Sequence, residues 1–124
     1  MFQMDRLDHV ALTVTDLERS TSWYQLVLRL EQRFQYRDTT GYGHPVGLCS
    51  GDACIVLFPA EPGHTVVPLQ GHVAFRLTRQ NFDEMLTHLQ QQGIPTEYVE
   101  YAKVHSVYCT DPDGYQIELS TFEL

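Results

Sequence analysis

The chain has 124 residues, 43% of them hydrophobic and 19% charged, with a formal net charge of −8. That length fits one domain with a packed core. The negative charge, with no cluster of Lys or Arg, argues against nucleic acid and anionic membrane, and no apolar run is long enough to span a bilayer.

The segment Met1–Arg6 carries no basic stretch followed by an apolar one, so no signal peptide is expected and the protein is expected to be cytoplasmic. Cys49, Cys54 and Cys109 are odd in number and lack CxxC spacing. They are expected to be buried small hydrophobes in a reducing compartment, not a disulfide framework or a zinc knuckle.

In chain order, Leu7–Thr15 alternates as a half-buried strand. Asp16 suits a helix N-cap, and Leu17, Trp23, Tyr24, Val27 and Leu28 give a helical stripe. Arg29–Leu30 ends that helix without the usual glycine. Glu31–Arg37 reads as a strand, Asp38–Gly43 as turn chemistry, Pro45–Cys49 as a strand, and Ala53–Phe58 as another after the turn at Ser50–Asp52. Residues 59–69 hold three prolines and no period, and form a linker. Gly71–Leu77 is a strand. Asn81 with Glu84 suggests a capping box, and Phe82, Met85, Leu86 and Leu89 form the stripe of a second helix stopped by Gly93 and Pro95. Thr96–Tyr101, His105–Thr110 and Tyr115–Ser120 are strands, the last two joined by the type I turn signal Asp111-Pro112-Asp113-Gly114.

The order strand, helix, three strands therefore occurs twice, and His-Val-Ala at His9 returns at His72. Such a duplication weighs more than any single motif. It predicts an α+β fold, one domain over 1–124, with βαβββ modules at about 5–58 and 70–121. One helix covers one sheet face in each module; the other face is free to curl into a cup.

Strand parity places the chemistry. Val10, Leu12 and Val14 fall on one face, His9, Ala11 and Thr13 on the other; Val73, Phe75 and Leu77 and His72, Ala74 and Arg76 repeat this. In the last strand Tyr115, Ile117 and Leu119 alternate with Gln116, Glu118 and Ser120. Glu118 thus shares the open face with His72, and His9 is the equivalent of His72. Two imidazoles and one carboxylate suit Fe(II), Mn, Co, Ni or Zn and leave positions open for substrate.

These residues resemble the vicinal oxygen chelate superfamily, which includes glyoxalase I, extradiol dioxygenases, and fosfomycin- and bleomycin-resistance proteins. The resemblance runs from Leu7 to Ser120 and rests on Leu7–Val14, Asp16-Leu17, Trp23-Tyr24, Gly71–Phe75 and, most specifically, Asp111–Leu119. It implies the glyoxalase/bleomycin resistance/dihydroxybiphenyl dioxygenase-like fold, whose sheets form a metal-centred cup. It also implies a divalent metal ion (Fe, Mn, Zn, Ni or Co) held by His9, His72 and Glu118. Many single-domain relatives are homodimers in which His9 of one subunit would join His72 and Glu118 of the other.

The strand Ala53–Phe58 offers no acid or amide as a fourth ligand, so glyoxalase isomerisation is disfavoured. Ser106 and Tyr108 precede the final turn much as in fosfomycin-modifying enzymes and are the candidate catalytic residues; they share a face that His105 does not. The expected function is a metal-dependent enzyme, dioxygenase-like or lyase-like, acting on a small molecule chelated through oxygens. The alternatives are a metal-free binding protein of the bleomycin-resistance type and an epoxide-opening enzyme of the fosfomycin type. Tyr36, Tyr42, Tyr98 and Tyr101 could line an aromatic pocket, and Arg76, Arg79 and Lys103 are the nearby cations.

Overall fold

The structure, a computed structural model, describes residues 1–35 and 44–124. The expected end of the second strand, the turn after it, and Tyr36 and Tyr42 lie outside the described residues.

The first half contains β1 (Val10–Val14), α1 (Leu17–Val27), β2 (Glu31–Gln35), β3 (Val46–Ser50) and β4 (Ala53–Pro59). The second contains β5 (His72–Arg76), α2 (Arg79–Gln91), β6 (Glu97–Glu100), β7 (His105–Thr110) and β8 (Gln116–Thr121). Each half makes its own four-stranded sheet, in the orders β1-β4-β3-β2 and β5-β8-β7-β6. The first strand of each half pairs in parallel with the last, Val10 opposite Ile55 and Val73 opposite Ile117, and the other pairs are antiparallel. A parallel pair needs a crossover, and the helix of each half belongs to it.

Alternation holds in both β1 and β5. Leu12 and Val14 are buried while His9, Ala11 and Thr13 are exposed; Val73 and Phe75 are half-buried while His72, Ala74 and Arg76 are exposed. The apolar rows join one core with Tyr24, Val27 and Leu28 of the first half and Phe82 and Leu89 of α2. Burying side chains of this size stabilises by roughly 1.5–3 kcal/mol each.

The start of α2 differs from the pattern-based expectation, while α1 ends at Leu28 without a glycine, as expected. α2 starts one turn earlier than the Asn81 capping box suggests, because the Thr78 side chain caps it by accepting from the Asn81 N–H at 3.2 Å. α1 ends through Arg29, which takes the left-handed conformation (φ 56°) that Gly93 (φ 68°) takes after α2. Leu30 N–H then reaches back to the Tyr24 carbonyl at 3.1 Å, and Ile94 N–H to that of Leu89 at 3.0 Å.

The halves are joined at the β7–β8 turn. Asp111 is buried and accepts the Tyr24 hydroxyl at 2.6 Å and the N–H groups of Asp113 and Tyr115, both at 2.9 Å. Burial raises its carboxyl above the ordinary range, while those hydrogen bonds pull it back. Burial, then the Asp111 bond, pushes the Tyr24 phenol far up. The Asp113 carboxylate receives the Thr15 N–H at 3.1 and 3.2 Å, and the Tyr115 hydroxyl donates to the Thr13 carbonyl at 2.7 Å.

One expectation on cysteine is overturned. Cys49 and Cys54 are register partners on β3 and β4 and form a disulfide. Opposed residues on adjacent strands point to the same face, so a spacing without CxxC still brings their sulfurs together. Cys109 is free and buried, as expected, and burial pushes its thiol up to about 11.

Candidate metal centre

The parallel pairing of β5 with β8 builds the site. It sets Ala74 opposite Glu118, and β7 sets Tyr108 opposite Glu118 from the other side. Ala74 leaves room, so His72 lies two residues down the strand with its Nε2 at 2.9 Å from Glu118 Oε1. The other carboxylate oxygen, Oε2, accepts the Ser106 hydroxyl at 2.8 Å. Ser106 is fully buried, the Glu118 side chain is 13% exposed and that of His72 is 47% exposed. The carboxylate is therefore fixed from beneath and the imidazole faces outward.

Tyr108 stands edge-on to the His72 ring, centroids 5.9 Å apart, and its hydroxyl lies 3.2 Å from that of Tyr101. The bond with Tyr101 first, then desolvation and the Glu118 charge, raise the Tyr108 phenol above its ordinary range. At neutral pH it is a hydrogen-bonding hydroxyl, not a base.

His9 immediately precedes β1 of the other sheet. Its Nδ1 lies 2.8 Å from Asp8 Oδ2. A carboxylate on one ring nitrogen leaves the other free to coordinate. Among the described residues of one chain, no three His, Cys, Asp or Glu side chains come together as a metal-binding group. His72 and Glu118 meet; His9 does not join them.

The pair alone fits a cation. Two adjacent ligands of an octahedral ion, each about 2.1 Å away, stand about 3 Å apart. Nε2 and Oε1 have that spacing.

The other candidates sort by face. His105 lies on the helix-covered side, its Nδ1 at 2.9 Å from Arg79 Nη1 and 3.3 Å from the Tyr98 hydroxyl. Tyr98, whose ring lies near Phe82 of α2, therefore does not line the open face, but Tyr101 does through Tyr108. Arg79 is engaged by His105 and Asp83, while Arg76 is on the open face with its guanidinium over the Phe122 ring at 4.0 Å.

Sequence reasoning missed Asp111, Asp113 and Tyr24 as an inter-module clamp. The turn signal was visible; its reach across 87 to 102 residues of sequence was not. It also left the fourth-ligand position general. Register now fixes it: Ala11 pairs with Val56 as Ala74 pairs with Glu118. Val56, 1% exposed, stands where a second carboxylate would.

Fold and site together define a duplicated βαβββ protein that carries a His–Glu pair on an open sheet face. The chain belongs to the Glyoxalase/Bleomycin resistance protein/Dioxygenase superfamily, whose family model matches residues 6–119. It is 31% identical over 121 residues to the glutathione transferase FosA of Serratia marcescens, covering 94% of this chain and 80% of that one. It is 27% identical over 127 residues to the metallothiol transferase FosB of Staphylococcus epidermidis, covering 96% and 83%. Among solved structures, a glyoxylase/bleomycin resistance protein/dioxygenase domain from Frankia sp. EAN1pec has the same fold, with a TM-score of 0.82, 22% identity, and 98% and 100% coverage. So does an E126Q mutant of the fosfomycin resistance protein FosX from Listeria monocytogenes complexed with Mn(II) and 1S,2S-dihydroxypropylphosphonic acid, with a TM-score of 0.71, 20% identity, and 94% and 92% coverage.

Proposed function

We propose that the protein is a divalent-metal-dependent enzyme that adds a nucleophile to a small, oxygen-rich electrophile of the epoxide kind. The observation that carries this is the His72–Glu118 pair at ligand spacing, backed by Ser106. The similarity to FosA and FosB, named for transfer of glutathione and of a thiol, favours addition of a nucleophile over ring cleavage. His105 adds to that preference: it faces α2, so the open face of the second sheet carries no histidine besides His72 among the described residues.

His72 and Glu118 would hold the cation, and His9 of a second copy would complete the set, since His9 and His72 are both exposed in the single chain. When bound, a divalent ion supplies Lewis-acid polarisation of a chelated substrate oxygen. Ser106 keeps Glu118 turned toward that position. Tyr108, with its proton retained, donates to a substrate oxygen, and Tyr101 orients it. Arg76 is the cation of this face available to an anionic substituent. The protein is then a homodimer with a small-molecule substrate.

The test is elemental analysis followed by turnover. Purified protein is expected to hold about one divalent ion per chain and to lose it in Glu118→Ala. With Mn(II) it should consume fosfomycin in the presence of glutathione or cysteine, and Tyr108→Phe should lower kcat more than KM. A metal-free protein, or one that consumes oxygen with catechols while leaving fosfomycin intact, overturns the reading.

A further inference from the structure

A cleft between the two halves is not used by that reading. Leu28, Arg29 and Ser50 of the first half line it with Thr78, Met85 and His88 of the second, and its volume is about 680 Å³. Ligand sites are concave spaces of roughly 300–1,000 Å³ that favour such boundaries. A pit of about 110 Å³ adjoins it, and the two share Leu28, Ser50, Leu77 and Met85. Leu30, Phe75 and Leu119 give the pit further apolar walls. Phe75 and Leu119 each follow Ala74 and Glu118 by one residue in their strands, so they point to the opposite face. The sheet therefore separates this pit from the His72–Glu118 pair.

The cleft holds a cation at an unusual place. Arg29 takes the left-handed conformation, φ 56°, at the helix end where the second half has Gly93. A side chain is disfavoured there, and glycine would serve the backbone better. The guanidinium is not idle: its Nη2 donates to His88 Nδ1 at 3.4 Å. His88 Nε2 donates to the Leu26 carbonyl at 2.9 Å, which assigns the tautomer with its proton on Nε2 and leaves Nδ1 as acceptor. His88 is only 8% exposed, so Arg29 is anchored on a buried ring that bridges the halves. Its other N–H donors take no hydrogen bond among the described residues. The other charged side chains of the cleft are engaged. Arg76 has its guanidinium over the Phe122 ring at 4.0 Å, and Glu84 accepts from Gln80 Nε2 at 3.4 Å.

We propose that this cleft binds a small amphipathic carboxylate, with its head on Arg29 and three or four carbons of its chain in the pit. A guanidinium offers paired N–H donors that match the two oxygens of a carboxylate. A water-sized group takes roughly 30 Å³, so a pit of about 110 Å³ receives that many carbons. The ligand also gives a reason for Arg29, a side chain kept where glycine is easier. None of the proposed metal ligands takes part, so the site stands apart from the proposed function.

The test uses the full chain in the presence of a chelator, so that no carboxylate is held by a metal ion. Sodium acetate, butanoate and hexanoate are titrated, and the amide resonances of Arg29, Ala53 and Met85, all in these linings, are followed by nuclear magnetic resonance. Hexanoate is expected to saturate at one per chain and to bind about tenfold or more tighter than butanoate, since each buried methylene is worth about fourfold. Hexylamine should not saturate. Arg29→Gly should fold with no loss of thermal midpoint and bind hexanoate about tenfold or more weakly. Arg29→Lys should keep most of the affinity, and Ala53→Leu, which narrows the pit, should remove the advantage of hexanoate over butanoate. Glu118→Ala should bind hexanoate as the unaltered chain does, so failure of the metal centre is distinguishable from failure of this site. No saturable binding, equal affinity for butanoate and hexanoate, equal binding of hexylamine, unchanged affinity in Arg29→Gly, or loss of binding in Glu118→Ala overturns the proposal.

Discussion

The two halves follow one plan and part at their twin positions. Val56 sits between Ala11 and Gly47 as Glu118 sits between Ala74 and Tyr108. Gly47 lacks a side chain because the Phe34 ring lies on it; a Cβ there would meet the ring at 1.9 Å. The first sheet thus borrows an aromatic from its edge strand, where the second carries its own at Tyr108. The last hairpin differs most. Ser50 pairs with Ala53 across two residues, whereas Thr110 pairs with Gln116 across five. The longer turn carries Asp111 and Asp113 into the other half; the shorter leaves its neighbours lining a cavity of about 680 Å³ beside α2. Duplication preserved the scaffold, while the open-face carboxylate and the clamp were placed in only one copy.

Four substitutions press on this comparison, from the largest expected effect to the smallest. Val56→Glu makes the first sheet match the second at the position of Glu118. Buried and unpaired beneath Phe34, the new carboxylate should destabilise by about 3–5 kcal/mol in urea unfolding at neutral pH, with partial recovery in acid. A full-stability variant would mean that the floor of the first sheet is as open as that of the second.

Tyr24→Phe removes the hydroxyl that satisfies Asp111 and should lower the urea midpoint by an amount equivalent to about 1–3 kcal/mol. The clamp is then measured directly, since the ring and its packing stay.

Cys109 occupies the core position that Leu48 fills in the first half: each is the β-partner of the buried isoleucine, Ile117 or Ile55. Its thiol is held up from 9.0 to about 11 by burial. The unfolded chain ionises first, so this stability is present below pH 9 and lost as pH rises through 11. Cys109→Ala should make the alkaline decline in unfolding free energy, read by urea titration at each pH, shallower by roughly 2 kcal/mol across that window. The remaining slope belongs to the tyrosines whose phenols are also raised, Tyr24 and Tyr115 among them.

Arg29→Gly gives the first helix the ending of the second. Relief of the left-handed conformation should stabilise by about 0.5–1 kcal/mol, less whatever the 3.4 Å contact to His88 contributes. Thermal unfolding reads the sign, which is the informative part.

Much of this was legible because a strand alternates with period two. Parity alone set His9, His72 and Glu118 on open faces and His105 on the opposite face from Ser106 and Tyr108. The repeat supplied the topology, since one pattern had to fold twice. What escaped was set by partners distant in sequence. Thr78 outcompeted Asn81 as a cap because its oxygen reaches the Asn81 N–H. Cys49 and Cys54 gave no recognisable spacing, because their pairing depends on hairpin register. Asp111 and Asp113 were read as local turn formers, and nothing in the tetrapeptide says that its carboxylates meet a helix from the other half. The resemblance carried the metal and its ligands beyond what single residues could.

The clamp also governs the order in which the molecule can be made. Thr13, Thr15 and Tyr24 find their partners 102, 98 and 87 residues later in the chain. During synthesis the amino-terminal half therefore leaves the ribosome with a buried tyrosine hydroxyl unanswered and the β1–α1 junction unbraced. It can reach its final form only after the β7–β8 hairpin emerges. A nick within residues 60–69 would then sever the only covalent tie between the halves and still leave them docked, held by the hairpin that arrived last.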